Sequence, residues 1–348
     1  MKAVFRISAG CLLAAAFFSV CNHDKRITDN NPKTDFSGIY CLNALNIGMT
    51  IVQVRDSVTF TVQSDLVAHG TGAITGDTLQ LTAGTSGGET FTCRLGFSRD
   101  RQGFSGAYRM TDAAGRNTGE GLLQGSKGDC PKWDIAAKGI PRFVSHDFTQ
   151  LSKIDKISKF RSAAGHDYSD GSETCRSMKH YYSVHDSLRK NNAVEIYSPV
   201  EGSVVSVSND GHGASIGLNN KQIQIKPDDQ PAFIIRIFHC DLASSAIATG
   251  KKVQAGESLG YARLYYEDLG EYSGSFDVAV WVNTPAGMRL VPYFDVMKDE
   301  VFNGYILRGA GSRQDFVISR EARDADPLEC SGETFLTGGH LEDWVTLH

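Results

Sequence analysis

Short runs of alternating apolar and polar residues, closed by turn residues, fill most of this chain and restrict its fold more than any other feature. Over residues 36–130 the runs follow one another at regular spacing, with turns at Arg55-Asp56, Gly76-Asp77 and Ala114-Gly115. Short, regularly spaced strands are typical of β-sandwiches and small up-and-down barrels. The sequence therefore predicts a mostly β protein whose first domain is a β-sandwich or a small β-barrel.

A second β stretch covers residues 194–282, where strand-period alternation is broken by turns at Glu201-Gly202 and Ala255-Gly256. Ahead of it, apolar residues recur every three positions over 147–160, which predicts a short amphipathic helix. The segment after Val282 holds enough apolar residues to pack back on this second β unit as a C-terminal extension.

Length and charge narrow the class of protein. A chain of 348 residues is too long for one small domain, and 41% hydrophobic residues are enough for ordinary cores. The net charge of −5 and the lack of a basic run argue against a nucleic-acid partner.

The N-terminus has the pattern of an export signal. Lys2 and Arg6 precede an apolar run over 7–20 that is too short to span a membrane, and Cys21 ends the run abruptly. A cysteine at this place is typical of bacterial lipoproteins and predicts a lipid anchor on Cys21, although an ordinary cleaved signal remains the alternative. Both interpretations predict an exported protein, in the periplasm or as a lipoprotein anchored at the outer membrane of a bacterium.

Export to an oxidising compartment makes the cysteines disulfide candidates. Of the eight cysteines, Cys11 and Cys21 lie in the export segment, which leaves six. We favour a Cys41–Cys93 pair, because both residues fall on predicted strands of the first domain. Cys330 is placed to bond to Cys175, and Cys240, within a core strand, is a candidate for a buried free thiol.

These patterns divide the chain into six parts. They are a signal peptide with a possible lipobox at 1–21, a linker at 22–35, the β-sandwich or barrel at 36–130, a linker with a short helix at 131–159, a second β domain at 160–297, and a C-terminal extension at 298–348.

Three phrases in the second domain resemble one known family. PVEGSVV begins at Pro199, HCDL at His239 and GKKVQAGESLG at Gly250, and in this order they resemble the LytM-type zinc peptidases of the M23 family. The resemblance covers roughly residues 160–295 and implies a LytM-like β domain. It also implies a role in cleaving peptide cross-bridges of bacterial cell walls.

The family's zinc site is only partly matched. The resemblance implies metal ligands from an H-x-x-x-D pair and from a late H-x-H, and His239 matches the assisting histidine of the family. The late strand, however, reads Asp277-Val278-Ala279, so Asp277 replaces a catalytic histidine and Ala279 replaces a ligand. His166 and Asp170 have the H-x-x-x-D spacing but lie far ahead of the hairpin. His180 lies at the expected distance but has no carboxylate four residues on.

We therefore interpret the second domain as a degenerate relative that lacks the zinc set and lean away from an enzyme. The leading hypothesis is a non-catalytic binding or regulatory module in peptidoglycan metabolism, with a peptidoglycan peptide or an envelope protein as partner and no cofactor. An active zinc hydrolase with a rearranged site, built from His166, Asp170 and either His239 or Asp277, is one alternative. A lipid-anchored ligand carrier that uses the first domain is the other.

Overall fold

Eight antiparallel strands form a closed barrel in the first part of the computed structural model, which describes residues 35–43, 46–63, 68–84, 88–210 and 216–348. Each strand pairs with the next, and the first closes the ring by pairing with the eighth, at Tyr40↔Lys127. The predicted mostly β fold is confirmed, and of the two predicted architectures the barrel is the one that forms. Its strands are β1 (Gly38–Leu42), β2 (Ile47–Val54), β3 (Ser57–Gln63), β4 (Ala68–Thr75), β5 (Thr78–Gly84), β6 (Thr90–Phe97), β7 (Gly103–Thr111) and β8 (Asn117–Lys127).

The interior of the barrel is a packed core of aliphatic and aromatic side chains. The rings of Phe36, Tyr40, Phe97 and Phe104 contact one another with centroids 4.7–5.7 Å apart. A Cβ at position 125 would collide with the Phe104 ring, so Gly125 is needed for this packing. Small barrels are commonly filled by their own side chains, and this filling gives no support to the ligand-carrier interpretation.

The rest of the chain builds a second, larger sheet. Its main path runs in the order β15, β12, β13, β14, β19, β10, β9, β23, while β11 and β16 pair beside β14, and β20 pairs with β19. These strands are β9 (Ile154–Ser158), β10 (His180–Val184), β11 (Glu195–Tyr197), β12 (Gly202–Asn209), β13 (Lys221–Pro227), β14 (Phe233–Leu242), β15 (Lys252–Val253), β16 (Ser258–Ala262), β19 (Ser275–Thr284), β20 (Gly287–Val291) and β23 (Trp344–Thr346). Two short hairpins complete the strands, β17 (Tyr265–Tyr266) with β18 (Glu271–Tyr272) and β21 (Cys330–Ser331) with β22 (Thr334–Phe335).

Strand alternation gives this sheet two different faces. Val278, Val280 and Val282 of β19 point into the main hydrophobic core, together with Ile235 and Ile237 of the neighbouring β14. The residues between them point to the opposite face, which carries Asp277, Ala279 and Trp281 of β19, Arg236 of β14 and Tyr181 of β10. That second face holds the candidate site.

Helices are few and short among the described residues. They are α1 (Ile135–Lys138), α2 (Asp299–Ile306) and α3 (Arg320–Ala325), with 3₁₀ helices at Leu151–Lys153, Asp186–Leu188, Tyr293–Val296 and Arg313–Phe316. The predicted helix over 147–160 is wrong, because this segment forms one 3₁₀ turn and then β9. Strand β9 lies between β10 and β23, and a register shift opposite Ser183 and Val184 lets both Ile154 and Ile157 face the core. Tertiary pairing thus overrides the local three-residue spacing.

The C-terminal segment packs on the second sheet. Phe316 stacks on Phe294 with centroids 3.9 Å apart, and Phe302 and Tyr305 of α2 surround the same ring. Strand β23 then extends the sheet at β9. Arg323 of α3 is fully buried and donates from Nε to the carbonyl oxygen of Arg161 at 2.9 Å.

Two disulfides link distant segments of the described part of the chain. Cys175 bonds to Cys330, as predicted, whereas Cys41 bonds to Cys130 and not to Cys93. Cys93 and Cys240 are buried free thiols, which confirms the prediction for Cys240. Cys130 follows the last barrel strand, so the first disulfide joins the barrel to the segment that leaves it. Disulfides form and persist in oxidising compartments, which fits an exported protein.

The barrel and the second sheet belong to one compact unit, residues 35–348. Asn46 of the barrel donates from Nδ2 to the Pro231 carbonyl oxygen at 2.9 Å. In the described part of the chain no helix has the length and apolar character that crossing a membrane requires. The predicted signal peptide and its Cys21 fall in residues 1–34, outside the described residues.

Candidate functional site

His239 lies near the end of β14, where the backbone departs from strand geometry. Its φ of 54° is in the left-handed region that non-glycine residues rarely adopt. A carboxylate holds this conformation, because Asp210 accepts a hydrogen bond from the His239 backbone N at 3.1 Å. The turn of the backbone brings Nε2 of His239 to 3.2 Å from Oδ1 of Asp277. On its other side, Nδ1 of His239 lies 2.9 Å from the Tyr266 hydroxyl and 3.2 Å from Oδ2 of Asp210.

These neighbours favour the charged form of His239. Burial alone lowers the pKa of His239, but the charges of Asp277 and Asp210 outweigh it, so the pKa is raised from its ordinary value. The imidazole lies between two carboxylates, with a ring nitrogen 3.2 Å from each.

Asp277 forms a second close contact, with a lysine that the sequence did not single out. Nζ of Lys179 lies 2.6 Å from Oδ2 of Asp277, and the two side chains are 2% and 0% exposed. The contact has ion-pair length but not the angles of a well-aligned hydrogen bond. Burial lowers the pKa of Lys179, yet Asp277 more than compensates and raises it. Burial raises the pKa of Asp277, and Lys179 with His239 brings it down to about 2.

Aromatic rings enclose the Lys179 ammonium on several sides. The ring centroids of Phe238, Tyr168 and Tyr181 lie 4.4, 4.8 and 5.0 Å from Nζ, within the range of cation–π attraction. The ammonium charge is thus stabilised by one carboxylate and by ring faces.

His166 joins this group from the solvent side. Its Nε2 lies 3.1 Å from Nζ of Lys179, and its side chain is 40% exposed. A continuous polar chain therefore runs from solvent through His166, Lys179, Asp277 and His239 to Asp210.

Beside His166, three half-buried side chains form a small polar and aromatic surface. The Tyr168 hydroxyl accepts hydrogen bonds from Arg236 at 3.1 Å and from the Trp281 indole N–H at 3.0 Å. We call His166, Tyr168, Arg236 and Trp281 the rim. Its members come from β14, from β19 and from the loop ahead of β10. The barrel lies nearby, since the charge of Arg236 partly offsets the rise that burial causes in the pKa of Tyr108 of β7.

The residues present do not fit the zinc site that the resemblance implies. Ala279, at the position of the expected ligand, has no donor atom and packs among Phe160, Met178 and Phe238. Zinc needs about four nitrogen, oxygen or sulfur donors, whereas the Lys179 amine already lies against the Asp277 carboxylate. In the described parts of the chain, no three His, Cys, Asp or Glu side chains are grouped as a metal ion requires.

The structure brings together some of the predicted candidates and separates others. His166, His239 and Asp277 lie in the polar chain described above. Asp170 does not join them: its Oδ1 accepts from Ser172 N at 2.9 Å, and its Oδ2 accepts from Leu290 N at 2.9 Å.

His180 lies on the opposite face of the sheet. Its Nδ1 contacts the Ser158 carbonyl oxygen at 2.8 Å, its ring meets Phe294, and burial lowers its pKa to about 4. Of the two histidines proposed for the first ligand, His166 is thus the one on the site face.

Sequence reasoning missed Lys179 and three members of the rim. A signal was present, because strand alternation in Lys179-His180-Tyr181 puts the lysine and the tyrosine on the face opposite to the histidine. Lysine is seldom buried unless it is paired, and its partner Asp277 is almost a hundred residues away, so the pattern alone did not point to it.

Comparisons with known proteins give only a distant likeness. No family model matches the chain, and no curated protein matches it. Among solved structures, Helicobacter pylori Csd3 from the orthorhombic crystal aligns at a TM-score of 0.29 with 11% identity, over 71% of this chain and 51% of that chain. Csd3 from the hexagonal crystal aligns at 0.30 with 11% identity, over 72% and 74%. The chain spans about half the length of the first of these.

Proposed function

We propose that this protein is a non-catalytic binding module of the bacterial cell envelope, acting in peptidoglycan metabolism. The observation that carries the proposal is the buried pair of Lys179 and Asp277, which lies where a hydrolytic metal centre of the resembled family would need ligands. Ala279 beside it contributes no donor.

Electrostatics supports this assignment. A divalent ion about 4 Å from the Lys179 ammonium would be repelled by ~8 kcal/mol at an effective dielectric constant of about 20. That repulsion offsets a large part of the ~10–16 kcal/mol that a complete structural zinc site provides, and this site offers fewer donors. In the ion-paired form of the site, Lys179 thus supplies a positive charge in place of a metal.

The rim has the composition of a recognition surface. Tryptophan, tyrosine and arginine are the residues that most often dominate binding energy, and here Trp281 and Arg236 are both oriented by the Tyr168 hydroxyl. Pre-oriented side chains lose little entropy when a ligand binds. A peptide that stacks on Trp281 and presents a carboxylate or carbonyl to Arg236 and His166 matches this surface.

The cell-wall assignment rests on the three sequence phrases that resemble LytM-type peptidases. With the export pattern at the N-terminus, it makes a peptidoglycan peptide, or an envelope protein that processes one, the expected partner. A lipid on Cys21 would hold the module at a membrane of the envelope, in the periplasm or at the outer membrane.

A sedimentation assay with purified peptidoglycan tests the proposal. Wild-type protein should co-sediment with the insoluble polymer without solubilising it, and Trp281→Ala should weaken binding at least about tenfold, which corresponds to ~1.4 kcal/mol. Tyr272→Ala is the matched control, because Tyr272 is a 64% exposed aromatic residue outside the rim. The proposal fails if wild-type protein stays in the supernatant, if Trp281→Ala binds as tightly as wild type, or if the polymer is solubilised.

A further inference from the structure

Lys179 and Asp277 are placed as two reactants as well as an ion pair. Their amine nitrogen and carboxylate oxygen are 2.6 Å apart, and neither side chain is reached by solvent to any useful extent. Reacting groups that are held in contact reach effective concentrations on the order of 10⁵–10⁸ M when they also align for attack. Exclusion of water also removes the solvent that would otherwise reverse a condensation.

Each reactant has its own histidine. Nε2 of His166 lies 3.1 Å from the Lys179 nitrogen, where it can accept a proton from the amine. Nε2 of His239 lies 3.2 Å from Oδ1 of Asp277, where it can donate one. A base on the nucleophile and an acid on the leaving oxygen are the two groups that amide formation requires.

The resting ion pair does not prevent the reaction. His166 can accept one proton from the ammonium and His239 can supply one to the carboxylate, so the neutral amine needed for attack forms with no change in the net charge of the site. The rings of Phe238, Tyr168 and Tyr181 enclose the Lys179 amine and help to keep water away from the pair.

The strand register brings the two side chains to the same side of the sheet. Asp277 of β19 is directly opposite Tyr181 of β10, and Lys179, the residue just before β10 begins, is two positions from Tyr181. Side chains at diagonal positions of neighbouring strands are within reach of each other when one of them is long.

We propose that Lys179 and Asp277 condense into an isopeptide bond that joins the residue just before β10 to the strand β19. His166 takes a proton from the Lys179 ammonium, and the free amine attacks Cγ of Asp277. His239 protonates Oδ1, the C–Oδ1 bond breaks, and that oxygen leaves as water with the second proton of the amine. One C–N bond forms, one C–O bond breaks, and no oxidant or other reactant is needed.

The bond would make the metal-free state of the site permanent, because it removes both the carboxylate and the amine as ionisable groups. It would also link the start of β10 covalently to β19, in addition to the two disulfides of the described chain. The inference does not depend on the proposed ligand, since a linked and an unlinked protein can each be tested for peptidoglycan binding.

Peptide mapping of the full chain by mass spectrometry tests the inference. The sequence gives trypsin cleavage sites after Arg176, Lys179 and Arg189, and after Arg263 and Arg289. We expect one branched peptide in which 177–189 is joined to 264–289, with cleavage after Lys179 blocked and the mass of one water missing. Fragment ions should place the missing water at the branch, which distinguishes it from a cyclised aspartate.

Variants give the controls. Lys179→Arg keeps the positive charge but cannot form the bond, so it should release the separate linear peptides. His166→Gln, a change at a half-exposed residue, should slow conversion in freshly refolded protein. Recovery of the linear peptides 180–189 and 264–289 from wild-type protein as its main products would overturn the inference, and so would a water loss that persists in Lys179→Arg.

Discussion

Asp147 should make the stability of the second sheet depend on pH. Its Oδ2 accepts a hydrogen bond from the buried Tyr305 hydroxyl at 2.6 Å, and the Tyr305 hydroxyl also contacts the Tyr182 hydroxyl at 3.2 Å. Burial raises the pKa of Asp147 to about 6 from its ordinary 3.8, with hydrogen bonds from the Tyr305 hydroxyl and the Thr149 backbone N opposing the rise. The folded protein therefore keeps a proton on this carboxyl at pH values where the unfolded chain has lost it.

The direction in which stability changes with pH follows from proton linkage. Below about pH 4 both states carry the proton, and Asp147 contributes no difference in stability. Between about pH 4 and pH 6 the unfolded state ionises first, so stability falls as the pH rises, and above pH 6 the penalty is constant. A shift of about two pKa units corresponds to ~3 kcal/mol. Because the residue as a whole is partly exposed, solvent screening reduces the expected effect to ~2 kcal/mol.

The assay compares urea unfolding of wild type and Asp147→Asn from pH 4 to pH 8, followed by tryptophan fluorescence. All three tryptophans, Trp133, Trp281 and Trp344, lie outside the barrel, so the signal reports on the second sheet. The stability of Asp147→Asn relative to wild type should rise by ~2 kcal/mol across the window and then level off. Tyr305→Phe, which removes the hydrogen-bond donor, should extend the window to higher pH. If the difference in unfolding free energy between wild type and Asp147→Asn stays constant from pH 4 to pH 8, the reasoning is refuted.

Three further predictions concern other parts of the chain. Gly125→Ala should destabilise the barrel by ~1–3 kcal/mol through its clash with Phe104, seen in thermal melts by circular dichroism, whereas the control Gly84→Ala meets no atom within 4 Å and should melt close to wild type. Arg323→Met should cost ~3–5 kcal/mol, because it leaves Asp343, 3.2 Å from the guanidinium, without its buried partner, and an unchanged urea midpoint would contradict this. Cys21→Ala should abolish labelling by palmitate and move the protein from the membrane to the soluble fraction; equal labelling of wild type and variant would show that Cys21 is not lipidated.

Much of the fold could be predicted because local sequence patterns determine where its strands and turns lie. Period-two alternation and turn residues predict strands, and in the first domain the barrel strands follow one another in sequence order, so neighbours in the chain are neighbours in the sheet. The pairing of Cys41 was wrong because disulfide partners are set by tertiary distance, and Cys130 lies beyond the last barrel strand. The prediction of a helix over 147–160 was wrong because β9 depends on its pairing with β10 and β23. These partners are distant in sequence, so the local spacing of apolar residues does not reveal them.

The site was less predictable, since its parts are remote in sequence. The resemblance pointed to His239 and Asp277, and the structure places them 3.2 Å apart. Lys179 was overlooked because a single lysine in a sequence is nearly always a solvated charge. The rim depends on Tyr168, whose hydroxyl joins β14 and β19 from a loop that ordinary patterns leave unassigned. Such long-range contacts become visible only when the strand register is known.

The most direct test of the central claim is the zinc content of the purified protein, measured by elemental analysis after dialysis without a chelator. The account predicts much less than one zinc per chain in a protein that unfolds cooperatively, because Lys179 neutralises Asp277 and Ala279 provides no ligand. One zinc per chain, lost in His239→Ala and Asp277→Ala, would contradict the account and identify a metal centre at this site.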